Sequence, residues 1–419
     1  MKEIRTKKLR MINEKTLLVT VDIGQVINAG YCRCPDGYEV KPFEFYNNGR
    51  GFNSFWIVIS KIKELKNLDE IVVGFESTGS YGEPLLHYLR ARSVTLVQVN
   101  PMHTKRIKEL HGNSPNKTDK KDPKVIADII ALGHSLTHVV PEGAAAELRR
   151  LTHARERSME RRTALLNQLQ DLVFILFPEF VQVMKGIKTR SARYLLRHYP
   201  MPHDIVRHGV DALEITLRKV SRGRLDKKRA QELYEGACHS AGITQGRESI
   251  LIEIREIVYL LEAVERFIDK LEEGMVKYLT QIPYSTSILS LKGIGEVTAA
   301  GIIGEVADFN KFDTIREITK LAGLDLFEIS SGKHKGKRRI SKRGRPLLRK
   351  ILYYAALNTV RKGGELYGTY QRHLEKGMVK TKALIAVARK LLGIIFALVR
   401  DHTVFMAEHA SLQISKKAA

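Results

Sequence analysis

Cysteine is scarce in this sequence. Cys32, Cys34 and Cys238 are the only three in 419 residues. An odd, sparse set makes no disulfide framework. One residue separates Cys32 from Cys34 and no second pair follows, so a zinc site is excluded as well. Both read as strand residues with free thiols. Long apolar runs are missing too: the stretch from Leu391 to Val399 is far too short to span a bilayer and reads as a core helix. The basic N-terminus leads into no apolar segment with a cleavage site, so no export signal is expected. Tryptophan occurs once, at Trp56, and is assigned to the core. The expectation is a cytoplasmic protein without a membrane partner.

Acid is short relative to base. Lys and Arg number 70 against 46 Asp and Glu, a formal net charge of +24. Such an excess says little about fold, but it points to a polyanionic partner, and nucleic acid is the commonest. The length accommodates two or three domains.

Residues of roughly 15–140 read as α/β. Leu17–Val21 is a buried strand. Strands over about 28–33 and 38–46 follow, with Pro35-Asp36-Gly37 as their turn. Phe52–Leu65 has helical spacing, Ile71–Phe75 is a buried strand, Glu83–Arg92 is helical, and Val94–Val99 is a strand ended by Asn100-Pro101. Helices continue to about residue 134. Three strands and a helix, then alternating strands and helices, is the order of an RNase H-like fold. Residues of about 144–280 are helical. Ile254, Ile257, Leu261, Val264, Ile268, Leu271, Met275 and Tyr278 repeat at 3 and 4, a heptad seam of the coiled-coil type. Leu148, Leu151, Leu165, Leu169, Leu172 and Leu176 form a stripe on an earlier helix, interrupted by Arg155 and Arg162. The two helices pair within one chain or between chains, and self-association through the seam is expected. Between them, about residues 180–245 carry a basic stretch from Arg218 to Arg229 with no assigned role. The last region, about 281–405, is mostly helical.

Four carboxylates stand in a suggestive order. Asp22 ends the first strand, in Val21-Asp22-Ile23-Gly24. Glu76 ends a later one, in Gly74-Phe75-Glu76-Ser77-Thr78-Gly79. Acidic residues are disfavoured in buried strands and need a reason to be there. Asp119 and Asp122 open a helix three residues apart, hence on one face. Each taken singly is more often a turn or cap residue, and Pro123 suits the first helical position. Together, at two strand ends and a helix start, they can converge. Such a cluster needs a divalent cation, and oxygen ligands suit Mg2+.

These motifs resemble a known family, the bacterial insertion-sequence transposases that join an N-terminal RuvC-like DEDD domain to a C-terminal serine transposase domain, the bridge-RNA-guided recombinases. The three acidic motifs match, as do Leu291–Ala299, Leu321-Ala322-Gly323-Leu324, Ser330-Ser331-Gly332, Ile340–Gly344 and Leu348-Arg349. The resemblance covers nearly the whole chain. It implies a RuvC-like catalytic domain over 15–140, a helical coiled-coil region over 144–280 and a mainly α transposase domain over 281–405. It implies that Asp22, Glu76, Asp119 and Asp122 bind the metal and that Ser331 is the nucleophile, with Ser330 one place before it. It also implies a structured guide RNA, DNA as substrate, and a homo-oligomer, dimer or tetramer. Pro123 departs from the family's usual small helix former, and the helical middle is longer than in compact members.

Read without the resemblance, Ser330-Ser331-Gly332 is a surface turn. The interval after it is basic: from Lys333 to Lys350 there are ten Lys or Arg and no acid. Lys333, Lys335, Lys337, Arg338, Arg339, Lys342, Arg343 and Arg345 are candidate contacts to nucleic-acid phosphates. Gly293-Ile294-Gly295 before a helix resembles a helix-hairpin-helix turn, whose bare amides bind phosphate, or is an ordinary tight turn. Two other readings remain: a metal-dependent RuvC-like structure-specific nuclease needing no serine, and a non-catalytic nucleic-acid-binding protein.

Overall fold

The structure, a computed structural model, describes residues 12–76, 79–111, 122–137, 140–328 and 338–406. It divides into two compact units. One comprises Met1–Glu142, Val306–Lys350 and Ala388–Phe396; the other comprises Gly143–Glu305, Ile351–Val387 and Ala397–Ala419.

The first unit is built on a mixed sheet. Its strands are β1 (Thr16–Asp22), β2 (Ile27–Arg33), β3 (Glu39–Tyr46), β4 (Glu70–Glu76), β5 (Thr95–Val99) and β6 (Ser135–Thr137), in the order β3-β2-β1-β4-β5-β6. Strands β1, β4 and β5 run parallel, while β2, β3 and β6 are antiparallel to their neighbours. Helix α1 (Gly49–Leu65) follows β3, α2 (Glu83–Arg90) follows β4, and α3 (Pro101–His111) and α4 (Asp122–Ala131) lie between β5 and β6. The expected strands are present within a residue or two. Strand β6 is not foreseen from sequence, because three residues carry no periodic signal.

Alternation along the strands makes two cores. Val19, Val21, Ile71, Val73 and Phe75 pack with Phe52, Phe55 and Ile59 of α1 and Leu85, Leu86 and Leu89 of α2. Leu18, Val72, Val97 and Val99 pack on the opposite face with Val125, Ile126, Ile129 and Ile130 of α4. Trp56 lies half-buried at the edge of the first core, under Arg92. Cys32 and Cys34 are buried free thiols; burial pushes Cys32 up to about 12, so it stays protonated.

The second unit is helical. It holds α5 (Gly143–Leu176), α6 (Pro178–Val183), α7 (Arg190–His198), α8 (Pro202–His208), α9 (Val210–Ser221), α10 (Lys227–Cys238), α11 (Arg247–Leu279) and α12 (Ser285–Leu289). Along the chain then come α13 (Glu296–Val306), α14 (Ile315–Leu321), the short antiparallel pair β7 (Leu326–Phe327) and β8 (Arg339–Ile340), and α15 (Pro346–Thr359), α16 (Tyr367–Glu375) and α17 (Lys380–Arg400). Of these, α14, β7 and β8 fall in the first unit. Among the described residues no helix is long and apolar enough to cross a membrane.

The heptad seam of α11 is real, and its partner is α5 of the same chain. Ile254, Ile257, Leu261, Val264, Ile268, Leu271 and Met275 are all buried, while Tyr278 yields its place to Leu279. The two helices run antiparallel: Arg155 reaches Glu272, Arg162 reaches Glu265, each at 2.7 Å, and Gln168 reaches Glu253. The arginines that interrupt the leucine stripe of α5 are thus ion-paired across the seam. Arg193 of α7 adds a second cation to Glu265 at 2.6 Å. Burial opposes that charge, but the two guanidinium groups win and hold the carboxyl below its usual range. The buried stripe of α5 shifts to Leu166 and Val173, with Leu165 and Leu172 half-buried, where α6 packs against α5 and α7 against α11. At the other end of α5, Arg149 neutralises the buried Glu305 of α13 at 3.2 Å, and His153 Nε2 lies 2.7 Å from the same carboxylate.

Since α5 fills the seam, Leu261→Asp buries a charge in this chain's own core. The expected cost is several kcal/mol. Thermal unfolding should show a drop of about ten degrees or more. An unchanged melting temperature with a smaller particle mass would instead put the seam between chains.

Candidate active site

Sheet register decides where the acidic side chains go. Thr20 pairs with Gly74 and Val21 with Phe75 in the parallel β1–β4 ladder. Asp22 and Glu76 follow one step later, so they leave neighbouring strand ends on the same face, about 5 Å apart at the backbone. That is the face covered by α4. The Thr20 hydroxyl donates to the Pro123 carbonyl at 2.6 Å, which pins the start of α4 beside the end of β1. Gly74 lets the helix come close: a β-carbon there would lie 2.0 Å from Cδ1 of Ile130. Asp122, the first residue of α4, therefore starts beside the ends of β1 and β4. Pro123 is at home at the second helical position, where an N–H would have no intrahelical partner, and its carbonyl accepts from Thr20.

Three of the four candidate carboxylates thus start from one corner of the sheet. Asp119 lies outside the described residues. Asp22 and Glu76 are half-buried. Among the described residues, the Glu76 carboxylate has no hydrogen-bond or ion-pair partner, and no three acidic, histidine or cysteine side chains stand close enough to grip one ion. An all-oxygen donor set on rigid strand ends fits a hard divalent cation.

The residues flanking the serine motif belong to the same unit. Ser330, Ser331, Lys333, Lys335 and Lys337 lie outside the described residues, between β7 and β8 in sequence. The base of that hairpin is well defined. Ser341 N–H donates to the Asp325 carbonyl at 2.8 Å, Lys342 to Gly323 at 2.9 Å, and Arg345 to Leu321 at 2.7 Å. The Arg349 guanidinium donates to the Ala322 carbonyl at 3.0 Å. Gly344 has to be glycine, since a β-carbon would sit 2.4 Å from Gly323 N and Leu321 O. So the Leu321–Leu324 and Ile340–Gly344 motifs are two halves of one clasp. Arg338 pairs with Glu328 across its exposed end at 2.9 Å, Arg339 lies on β8, and Lys342 holds a left-handed φ of 53°.

Sequence reasoning passes over His103, which lacks any metal spacing. It lies in the first turn of α3, just after β5, with its ring 5.7 Å from that of His134. Burial, His134 and then Arg343 push its pKa down. Among the described residues, His103 Nδ1 and the buried Thr104 hydroxyl have no hydrogen-bond partner.

A separate cleft belongs to the helical unit. Lys292, Gly293, Ile294 and Gly295 form one wall, and Asn358, Arg361, Lys362, Gly363 and Gly364 the other, around a volume of about 770 Å³. Gly293 has φ of 100°. Among the described residues no carboxylate pairs with Lys292, Arg361 or Lys362. The second wall escapes sequence reasoning; its signal is two cations followed by two glycines, the same chemistry as the first.

Strand-end carboxylates on a mixed sheet and a glycine-lined basic cleft are the features to set beside known proteins. Residues 19–178 match the DEDD transposase family model and residues 285–371 match the model of the transposase IS116/IS110/IS902 family. The chain is similar to the insertion element IS110 uncharacterized 43.6 kDa protein of Streptomyces coelicolor, with 22% identity over 92% of this chain and 94% of the relative. It is similar to the insertion element IS116 44.8 kDa protein of Streptomyces clavuligerus, 23% identical over 83% and 87% of the two chains. It also resembles the insertion element IS900 42 kDa protein of Mycobacterium paratuberculosis, 25% identical over 69% and 73%. The class is that of insertion-sequence transposases, enzymes of DNA cleavage and strand transfer. Within it the chain belongs to the IS110/IS116 family.

Proposed function

We propose that this transposase cuts and rejoins DNA through one composite site, made of a carboxylate-held divalent cation and the Ser331 hydroxyl. The observation that supports the reading is shared location: Asp22, Glu76 and Asp122 start from one corner of the sheet, in the unit that also contains the clasp flanking Ser331. The strand order β3-β2-β1-β4-β5 supports the RNase H-like, RuvC-like reading of residues 15–140. Residues 144–280 are then the helical coiled-coil region and 281–405 the serine transposase domain.

Asp22, Glu76, Asp119 and Asp122 would hold the cation, for which Mg2+ is the fitting choice. Bound there, it would neutralise charge on the scissile phosphate. The Ser331 oxygen gives up its proton and bonds to phosphorus; one phosphorus–oxygen bond of the DNA breaks, and the leaving DNA oxygen takes a proton. The phosphoserine ester conserves the bond for rejoining, where a DNA hydroxyl displaces the serine. Lys333, Lys335, Lys337, Arg338, Arg339, Lys342, Arg343 and Arg345 would hold DNA phosphates beside it, and Gly293 and Gly295 would hold others. A nicked substrate carrying the element's own end tests the whole reading: the nick lets one product diffuse away and strands the protein on DNA. No adduct and no cleavage with cation present would end it.

The family resemblance extends the reading to a structured guide RNA, and the excess of 24 positive charges supports a large polyanionic partner. Protein prepared at low salt without nuclease should carry RNA of defined length; a preparation free of it argues against guidance. The resemblance also implies a dimer or tetramer. Ile252, Tyr259 and Phe267 leave a second apolar stripe of α11 exposed, which suits a neighbouring copy. Such an enzyme works where the element's DNA lies, in the cytoplasm.

A further inference from the structure

The long helical middle contains a second basic cleft, in the segment to which the sequence alone assigns no role. Its volume is about 540 Å³, and it is lined by Lys185, Thr189, Arg190, Ser221, Arg222 and Arg224, with no acidic residue on its walls. We infer that this cleft grips the phosphate backbone of duplex DNA, as an anchoring point outside the unit that contains the carboxylates.

Charge pairing separates these four cations from their neighbours, including Arg229, which also lines the cleft. The arginines and lysines that hold the helical unit together have acidic partners: Arg162 and Arg193 with Glu265, Arg197 with Glu262, Arg218 with Glu214, Lys227 with Asp211, Arg229 with Glu232. Among the described residues Lys185, Arg190, Arg222 and Arg224 have none, and all are exposed. Four unmatched cations around one concavity repel one another, so the fold gains nothing from collecting them. A polyanion does.

Backbone placement says the same. Lys185 follows α6 with φ of 52°, and Arg222 follows α9 with φ of 56°. Left-handed positions at helix ends are usually filled by glycine or asparagine, because a β-carbon there is crowded. Each is followed by a glycine that is itself at positive φ, Gly186 and Gly223, so two such turns face one cleft with a long cation at each. Arg190 opens α7, where Thr189 accepts from Ala192 N–H and fixes the first turn. The hydroxyl of Ser221 accepts from Leu225 N–H, which shapes the loop that presents Arg222 and Arg224. Cations on constrained loops spaced around a groove suit the repeating charges of a sugar-phosphate backbone, and carry no means of reading bases. DNA is the polyanion on which this enzyme acts.

The test uses the full-length protein and duplex DNA carrying the element's end, with a scrambled duplex and an RNA hairpin as the other arms. Lys185→Gln with Arg190→Gln, and Arg222→Gln with Arg224→Gln, should each weaken duplex binding at low salt by about tenfold, equally for both duplexes. The slope of log affinity against log salt should flatten by about 0.9 for each phosphate no longer neutralised. Arg222→Lys with Arg224→Lys should keep most of the slope. Arg218→Gln with Lys227→Gln removes as much formal charge from already paired groups and should change affinity less than about twofold. Circular dichroism checks folding, and the single Arg224→Gln variant reads the slope should a double variant fail to fold. Equal weakening in the cleft variants and the paired-charge control overturns the proposal, as does unchanged duplex binding with the defect confined to the RNA hairpin.

Discussion

Ser331→Ala is expected to bind DNA and fold like the parent, yet to lose strand transfer by on the order of 10⁴-fold or more. A single hydroxyl in a basic stretch of sequence is expected to contribute little to stability, within about 0.5 kcal/mol. What it supplies is the atom that holds the scissile phosphate between cutting and joining. The clasp that carries the segment is set by backbone bonds from Ser341, Lys342 and Arg345 to Asp325, Gly323 and Leu321, none of which involves the serine. The alanine variant should therefore keep the clasp. On a nicked substrate the parent should shift by its attached DNA on a denaturing gel, and peptide mapping should find the phosphoester on Ser331. Ser330→Ala should keep most activity. An adduct on Ser330 moves the nucleophile by one residue and preserves the chemistry. Metal-dependent cuts with neither serine labelled would replace the reading with a resolvase-like nuclease.

The fold of the first unit is legible in the sequence because buried parallel strands are dense in β-branched residues. Leu17–Val21 and Ile71–Phe75 announce themselves for that reason. Strands of two or three residues leave no such trace, so β6, β7 and β8 stay hidden, and with them the clasp. The seam of α11 is legible as periodicity, but periodicity names no partner. Arg155 and Arg162 look like flaws in the α5 stripe because Glu272 and Glu265, which answer them, are far along the chain, 117 and 103 residues away. The carboxylates stand out by their strand-end positions. That Asp22 and Glu76 share a face follows from ladder register, which sequence does not contain. The wall from Asn358 to Gly364 is hidden for the same reason: its partner loop begins at Lys292, and only the packed helices bring the two together.

Neutralising the carboxylate corner should be as damaging as removing the serine, but at an earlier step. Asp22→Asn and Glu76→Gln keep side-chain size and remove charge, so neither opens a cavity in the cores on either face of the sheet. Each variant is expected to fold, with a melting temperature within a few degrees of the parent. The parent should gain thermal stability when Mg2+ is added, because a ligand of the folded state stabilises it by mass action. Asp22→Asn and Glu76→Gln should lose that gain. They should also lose first-strand cleavage by on the order of 10³-fold, since an amide is a poor ligand and the remaining carboxylates cannot restore the geometry. Asp122→Asn should behave alike, because Thr20 holds the start of α4 against β1 through Pro123 whatever the charge at position 122. Two measurements separate the outcomes: the Mg2+-dependent shift in melting temperature, and cleavage of the element's ends across a Mg2+ titration. Parental cleavage in either strand-end variant removes that residue from the site. A retained thermal shift with cleavage abolished would place the cation elsewhere and leave the carboxylates to position DNA.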